Sequence, residues 1–157
     1  MKKHELTDDT ITVGGRILHR IKALKSFSDV EEGDLGGYVE KEDNLDHSGE
    51  AWVSGNARVY GNAWVYGDAW VYGDARVSGD ARVSGENDYA AAKGFGREYR
   101  TTTFFRLQDG GIGVRCGCFC GTLEEFREKV KETHKESKMG KEYLMLADLM
   151  EYKFKNE

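Results

Sequence analysis

The sequence predicts a mainly β protein built on a coil of short parallel strands, with a β hairpin before the coil and a smaller α+β segment after it. Three observations support this prediction. A six-residue phrase repeats without a break from Ala51 to Gly85, a Gly-Gly pair separates two apolar runs near the N-terminus, and strand signals in the C-terminal part precede two helix signals. A short fixed period indicates one structural unit stacked on itself.

The first predicted element is an N-terminal hairpin. Residues 10–13 and 16–21 are rich in β-branched and apolar side chains, and Gly14-Gly15 between them is a typical two-residue turn. We expect residues 1–34 to form a β cap, because an uncovered end of a strand stack exposes unpaired backbone groups that promote aggregation.

The central predicted element is the repeat region, residues 35–88. Its regular copies read AWVSGN, ARVYGN, AWVYGD, AWVYGD, ARVSGD and ARVSG. Ala and Val lie two residues apart, so they share one face of a short strand, while Trp or Arg and then Ser or Tyr share the other. Gly with Asn or Asp then bends the chain. A helix is excluded because a Gly at every sixth position would cost each turn about 1 kcal/mol, and strands this short do not support an open meander.

Upstream of the regular copies the repeat frame continues with less regularity. Counting back in sixes places Leu35 and His47 in the Val position, and Val39 and Leu45 in the Ala position. Nine six-residue units then fit into residues 35–88.

The phrase resembles the hexapeptide repeats of left-handed parallel β-helices, in which three six-residue units form one triangular coil. This resemblance implies a left-handed coil with a period of eighteen residues and about three coils in the repeat region. Other segments resemble uncharacterised phage and gut-bacterial hexapeptide-repeat proteins that have no assigned activity. The matching motifs are FSDV at 27–30, the Gly33 turn, GGYV at 36–39, CGCF at 116–119, GTLEEF at 121–126 and EY at 142–143.

With this period the outward side chains form columns along the stack. Neighbouring strands lie about 4.8 Å apart, so residues one coil apart are in contact. The predicted contacts are indole stacking of Trp52 with Trp70, a cation–π pair of Trp64 with Arg82, and an ion pair of Glu40 with Arg58. Each contributes about 0.2–1 kcal/mol at an exposed site. One interpretation is that the columns only hold the coil in register.

A second interpretation is that the columns bind a partner. Soluble monomers seldom expose so aromatic a surface, and Trp, Tyr and Arg are enriched at interface hot spots. We therefore expect a homo-oligomer, a dimer or trimer, together with a protein partner. The candidate partner-binding or ligand-binding residues are Trp52, Arg58, Tyr60, Trp64, Tyr66, Trp70, Tyr72, Arg76 and Arg82.

The C-terminal part is predicted to be a linker, residues 89–98, followed by a ββαα tail, residues 99–157. Strand-forming residues at 99–107 and 112–119 flank a Gln-Asp-Gly-Gly turn signal, which predicts a hairpin. Thr122 and Glu125 form a capping box for a first helix, and a second helix is expected after Gly140. The apolar residues expected to face the tail's core are Leu123, Phe126, Val130, Tyr143, Leu146, Ala147, Met150 and Phe154, with Leu144 and Leu149 widening the stripe of the second helix.

Two groups of residues are candidates for a chemical role. Cys116, Cys118 and Cys120 alternate along a predicted strand, and His134 on the next helix is the candidate fourth ligand of a metal site. Structural zinc sites usually space cysteines in pairs by two to four residues, so we favour small buried residues over a metal and expect no cofactor. His47 lies in the coil like the general base of hexapeptide-repeat acyltransferases, which the repeats resemble, but its frame position makes it a buried filler.

Composition restricts the function classes further. The net charge is −5, and hydrophobic residues make up 39% of the chain, as in a folded protein. Residues 46–88 carry three Lys/Arg against seven Asp/Glu, which argues against general nucleic-acid binding. The chain contains no membrane-length apolar run and no apolar core of a secretory signal near its start, so we expect a cytoplasmic protein away from the membrane.

These observations favour a non-enzymatic, self-associating interaction protein that binds another macromolecule. The phage-like resemblance implies one form of it, a phage-encoded inhibitor of a host or defence protein. The first alternative is a module that binds or sequesters a small, nucleotide-type ligand at a subunit interface. The second alternative is a hexapeptide-repeat acyltransferase.

Overall fold

The computed structural model describes residues 2–98, 100–117 and 119–155. The chain forms two compact units, Met1–Glu86 and Asn87–Glu157. In the described part of the chain, no helix has both the length and the apolar character that crossing a membrane requires.

The regular elements of the first unit are mostly strands. Its elements are β1 (His4–Val13), β2 (Arg16–Ala23), β3 (Leu35–Val39), a 3-10 helix (Glu42–Asn44), β4 (Trp52–Val53), β5 (Arg58–Val59), β6 (Trp64–Val65), β7 (Trp70–Val71), β8 (Arg76–Val77) and β9 (Arg82–Val83). They form one five-stranded sheet in the order β1-β2-β3-β5-β8 and the two-stranded sheets β4-β7 and β6-β9.

The predicted N-terminal hairpin is confirmed. β1 and β2 pair antiparallel from Val13 opposite Arg16 back to His4 opposite Ala23. Gly14 and Gly15 have φ values of 55° and 82°, as a two-residue turn with two left-handed positions requires. β2 then pairs with β3, so the hairpin continues the sheet that contains β5 and β8.

The repeats stack in parallel with the predicted period. Trp52 pairs with Trp70, and Trp64 with Arg82, so residues eighteen apart lie side by side. The inward positions are closed to solvent, and the buried residues are Ala51, Val53, Ala57, Val59, Ala63, Val65, Ala69, Val71, Ala75, Val77, Ala81 and Val83. At the Gly67 corner φ is 63° and an added Cβ would lie 2.8 Å from the Ser84 oxygen, so glycine is required there.

The frame predicted upstream of the repeats is wrong by two residues. Val39 pairs with Val59 and Leu45 bridges to Val65, so both occupy the Val position rather than the Ala position. The Asp46 amide donates to the Val65 oxygen, and the Glu50 amide donates to the Gly67 oxygen. The corner between Asp46 and Glu50 therefore contains two more residues than the corner between Val65 and Gly67, on which it stacks.

Three predicted positions change as a result of this longer corner. Leu35 is 59% exposed instead of inward, and His47 lies in the corner itself rather than in the Val position. The expected Glu40–Arg58 ion pair does not form, because Tyr38 takes the place opposite Arg58. Glu40 accepts instead from Arg16 Nη1 at 2.9 Å.

The second unit is a four-stranded antiparallel sheet with two helices. Its elements are β10 (Tyr89–Phe95), β11 (Arg100–Arg106), β12 (Ile112–Cys116), β13 (Phe119–Thr122), α1 (Leu123–His134) and α2 (Lys138–Lys153), with strand order β10-β11-β12-β13. The two helices of the predicted tail are confirmed, and the hairpin is formed by β11 and β12. The predicted linker is wrong over residues 89–95, which form an edge strand whose Ala90 and Ala92 pack against the core of this unit.

Local signals in the tail identified its helices. Thr122 accepts a hydrogen bond from the Glu125 amide, and Glu125 accepts from the Thr122 amide, so the capping box is confirmed. The second helix begins before Gly140, because the Ser137 hydroxyl caps it by accepting from the Gly140 amide. The apolar residues on the central line of the predicted stripes are buried, together with Phe104 and Val114 of the sheet. Leu144, predicted to widen the stripe, is partly buried against this core, whereas Leu149 is 57% exposed.

Candidate functional site

The outward aromatic residues of the repeats are the first candidate site. Trp64 and Tyr66 flank the inward Val65 on one strand and turn, and their rings stack with centroids 3.9 Å apart at 17°. Trp64 is 38% exposed, and Tyr72 in the following repeat is 57% exposed. Trp70 and Tyr66 are half-buried, so these four side chains present aromatic surface to solvent.

Two of the aromatic residues predicted to face outward are covered by other parts of the first unit. Trp52 is only 2% exposed, and its ring makes an edge-to-face contact with Phe27 at 5.4 Å in place of the expected stacking on Trp70. Tyr60 is 4% exposed and lies beneath the Arg16 guanidinium, 6.0 Å from the ring centroid. The N-terminal segment therefore covers both residues, which removes them from an accessible binding surface.

The predicted arginines lie along two sides of the stack. Arg58 and Arg76 are register partners on neighbouring strands, and both are half-buried. Arg82 is the register partner of Trp64, and its Nη1 donates at 2.9 Å to the backbone oxygens of Asn62 and Ala81. The cation–π contact of Arg82 with Trp64 stays a prediction.

The predicted cysteine site is divided between two strands. The chain turns at Gly117, where φ is 57°, so Cys116 ends β12 and Cys120 lies in β13. Cys118 lies outside the described residues. Cys116 accepts from the Thr102 hydroxyl at 3.2 Å and lies 3.9 Å from the Tyr143 hydroxyl, whose pKa is raised by burial.

A second cluster, absent from the sequence predictions, lies at the start of the first unit. The side chains of His4, Glu42 and His47 come together from β1, the 3-10 helix and the longer corner. Their potential ligand atoms all lie within 4.8 Å of one another. Hereafter we call these three residues the His4 cluster.

The hydrogen bonds of His47 are defined by its neighbours. Its Nδ1 accepts from the Lys3 backbone amide at 3.0 Å, so Nε2 carries the ring proton and donates to Glu42 Oε2 at 2.9 Å. The rings of His4 and His47 stack with centroids 4.2 Å apart and planes 15° from parallel. Both nitrogens of His47 are therefore engaged, in contrast to the free base nitrogen that proton transfer from a substrate would need.

Histidine 4 is the unusual member of the cluster. It has no solvent exposure, and neither ring nitrogen has a hydrogen-bond partner. Burial, reinforced by the neighbouring His47, lowers its pKa from 6.5 to about 4. The ring is therefore neutral at pH 7 and leaves a buried nitrogen lone pair unused.

Lysine 3 is next to His4 in the chain, but its side chain contacts backbone oxygens rather than the cluster. Its side chain is fully buried, and Nζ donates to the backbone oxygens of Ala51 and Gly49, while the ammonium lies 5.0 Å from the Phe27 ring centroid. Burial lowers its pKa from 10.5 to about 8. Lys3 thus fastens the N-terminal strand to the corner that carries Gly49.

The repeat region also matches a known repeat family. Residues 51–67 and 69–85 each match the model of the YdcK Beta solenoid repeat. Each matched segment contains three of the short strands, β4 to β6 and β7 to β9, and the second segment pairs with the first. No curated protein matches the chain. The chain is therefore a β-rich protein with a β-solenoid repeat and a C-terminal tail that contains two helices.

Proposed function

We propose that the protein is a non-enzymatic β-solenoid that self-associates and binds another macromolecule through its exposed aromatic surface. The observation that carries the proposal is the stacked pair Trp64 and Tyr66, and the exposed Tyr72 follows in the next repeat. Hereafter we call these three residues the aromatic surface. Large aromatic side chains bury much area on binding, and exposed groups of them on soluble proteins mark interaction sites.

The aromatic surface is arranged for binding at low entropic cost. Trp64 and Tyr66 each contact the other before any partner arrives, so their side-chain conformations are already restricted. A partner that covers them then loses less rotamer freedom than one that orders long flexible side chains. The short strand below, with Val65 fully buried, supplies a rigid base for the pair.

Charge favours a protein partner over nucleic acid. Asp68 and Asp80 at the corners of the stack are exposed, and acidic residues outnumber basic ones in residues 46–88. A phosphate backbone would be repelled by this surface, whereas a basic protein surface would complement it. A phage-encoded inhibitor of a host or defence protein is the form of this function that the resemblance to phage proteins favours.

The proposal includes a finer description of the scaffold. We propose a left-handed solenoid of about three coils, with the β1–β2 hairpin as its N-terminal cap. We propose that the tail is a module of the kind that phage-related repeat proteins carry beside their repeats. The eighteen-residue register supports the triangular coil, and the pairing of β2 with β3 supports the cap, because it occupies the edge of the first coil.

Light scattering coupled to gel filtration tests the proposal in the full-length chain. The triple variant Trp64→Ala, Tyr66→Ala, Tyr72→Ala removes the three rings of the aromatic surface. The wild-type chain should have the mass of an oligomer, and the triple variant should have the mass of a monomer. The matched control is Met145→Ala with Tyr152→Ala, which removes side chains that are 70% and 75% exposed in the other unit. The control should keep the wild-type mass.

Two results would contradict this function. A wild-type chain that stays monomeric at every concentration rules out self-association. A triple variant with an unchanged mass and an unchanged set of proteins captured from a host lysate shows that the aromatic surface binds neither a second copy nor a partner.

A further inference from the structure

The His4 cluster joins three segments that are far apart in the sequence. His4 belongs to the N-terminal strand, Glu42 to the 3-10 helix and His47 to the longer corner. Two imidazoles and one carboxylate are ligands that Zn²⁺ accepts in tetrahedral sites, with a fourth position open to water. Nothing in the repeat itself requires these residues, because the frame that Ala and Val define is complete without them.

The buried imidazole of His4 is the observation that points to a ligand. A fully buried side chain with both nitrogens unpartnered is rare in folded proteins, because each such group forfeits its hydrogen bonds to water. Its potential ligand atom lies within 4.8 Å of those of Glu42 and His47. A cation placed among the three side chains would use the lone pair that the protein leaves unused.

The charges around the cluster permit a divalent cation to bind but do not form a nonspecific cation-binding site. Glu42 supplies the one carboxylate, and Lys2 lies 3.7 Å from it with an exposed side chain that is free to move away. The Lys3 ammonium donates to backbone oxygens of the neighbouring corner, on the side where Asp46 and Glu50 provide opposite charge. Selection of the ion therefore rests on the two imidazole nitrogens.

Coordination requires a small rearrangement. The stacked rings hold their lone pairs in nearly parallel planes, so one ring must turn about its Cβ–Cγ bond to aim at a shared ion. The ring proton of His47 moves from Nε2 to Nδ1, and the hydrogen bond from the Lys3 amide is released. No proton is lost from either ring, and two hydrogen bonds, from the Lys3 amide to His47 Nδ1 and from His47 Nε2 to Glu42, are exchanged for metal–ligand bonds.

We propose that His4, Glu42 and His47 form a Zn²⁺ site that fastens the N-terminal strand to the first part of the solenoid. The site is structural, with water as the fourth ligand, and it is separate from the aromatic surface. Its effect is a crosslink across more than forty residues of sequence, from His4 to His47.

Zinc titration of the full-length chain against a chromophoric chelator, with Zn²⁺ alone as the probe, tests the site. Wild type should bind one equivalent per chain. His47→Gln and Glu42→Gln should each weaken binding about tenfold or more. These two positions are preferred to His4 because their side chains are 29% and 37% exposed and tolerate substitution. His19→Gln and His134→Gln are the matched controls and should bind Zn²⁺ as wild type does.

Two spectroscopic readouts locate the ion. Co²⁺ substitution should give visible ligand-field bands without the near-ultraviolet charge-transfer band of a thiolate, which separates the His4 cluster from the cysteines. Imidazole ¹⁵N resonances of His4 and His47 should shift with Zn²⁺, while those of His19 and His134 stay in place. The proposal is overturned if wild type binds no stoichiometric Zn²⁺, if His47→Gln and Glu42→Gln bind as wild type does, or if the first equivalent of Co²⁺ shows the thiolate band.

Discussion

Asn44 offers the sharpest test of how the first coil is held to the second. The side chain has no solvent exposure and makes four hydrogen bonds to backbone groups. Its Oδ1 accepts from the amides of Glu40 and Lys41 at 3.1 and 2.9 Å, and its Nδ2 donates to the oxygens of Gly61 and Ala63 at 3.2 and 2.9 Å. Asn44→Ala removes all four bonds at once.

The expected loss follows from the usual net value of a buried hydrogen bond. Four bonds at about 1 kcal/mol each give a loss of about 4 kcal/mol in the free energy of unfolding of the first unit. Urea unfolding followed by tryptophan fluorescence is the assay, because Trp52, Trp64 and Trp70 all lie in this unit. Asn56→Ala, at an exposed corner, should change stability by no more than about 0.5 kcal/mol. A loss below about 1 kcal/mol for Asn44→Ala would refute this account of the coil.

Two further predictions concern the same unit. Trp52→Ala should destabilise this unit by about 3–5 kcal/mol, because the ring is buried against Phe27. Tyr72→Ala, at an exposed position, should cost less than about 1 kcal/mol. Equal losses in urea unfolding would show that Trp52 is not covered. In EDTA, the free energy of unfolding should fall as the pH drops from 6.5 toward 4, because His4 binds a proton in the unfolded chain but not in the folded one. The lowered pKa of His4 corresponds to a loss of about 3 kcal/mol. His4→Gln should remove this part of the slope, and a pH profile identical to that of wild type would exclude His4 as its source. The charged and titratable groups around this ring are His47, Glu42, Lys2 and Lys3.

The regular part of the coil could be predicted because its period is explicit in the sequence. Ala and Val recur at fixed positions, so their burial follows from the six-residue phrase. The pairing of Trp52 with Trp70 follows from the eighteen-residue period that the resemblance to left-handed β-helices implies. The first coil could not be predicted in the same way. Its corner at His47 holds two additional residues, and without a repeated phrase there the sequence contains no mark of the shift.

The tail shows a similar division between local and long-range signals. The capping box at Thr122 and the helical stripes are local patterns, and both are confirmed except at Leu149, which is exposed. The strand at Tyr89–Phe95 was missed because three consecutive alanines lack the alternation of a typical strand, and its pairing with β11 supplies the order instead.

The candidate sites depend on contacts that span long stretches of sequence. Trp52 fits the outward pattern, and its burial comes from Phe27 in a segment that has no repeat. The approach of His4 to His47 likewise joins a strand to an irregular corner more than forty residues away. A histidine in a β strand and another in a repeat give no sequence signal of their proximity.

The most direct test of the central claim is nuclear Overhauser spectroscopy of the methyl-labelled, full-length chain. The claim is that residues eighteen apart lie side by side, with valines inside and the aromatic surface outside. We predict methyl contacts of Val53 with Val71, Val59 with Val77 and Val65 with Val83. The absence of these three contacts, or valine methyls that exchange magnetisation mainly with water, would contradict it.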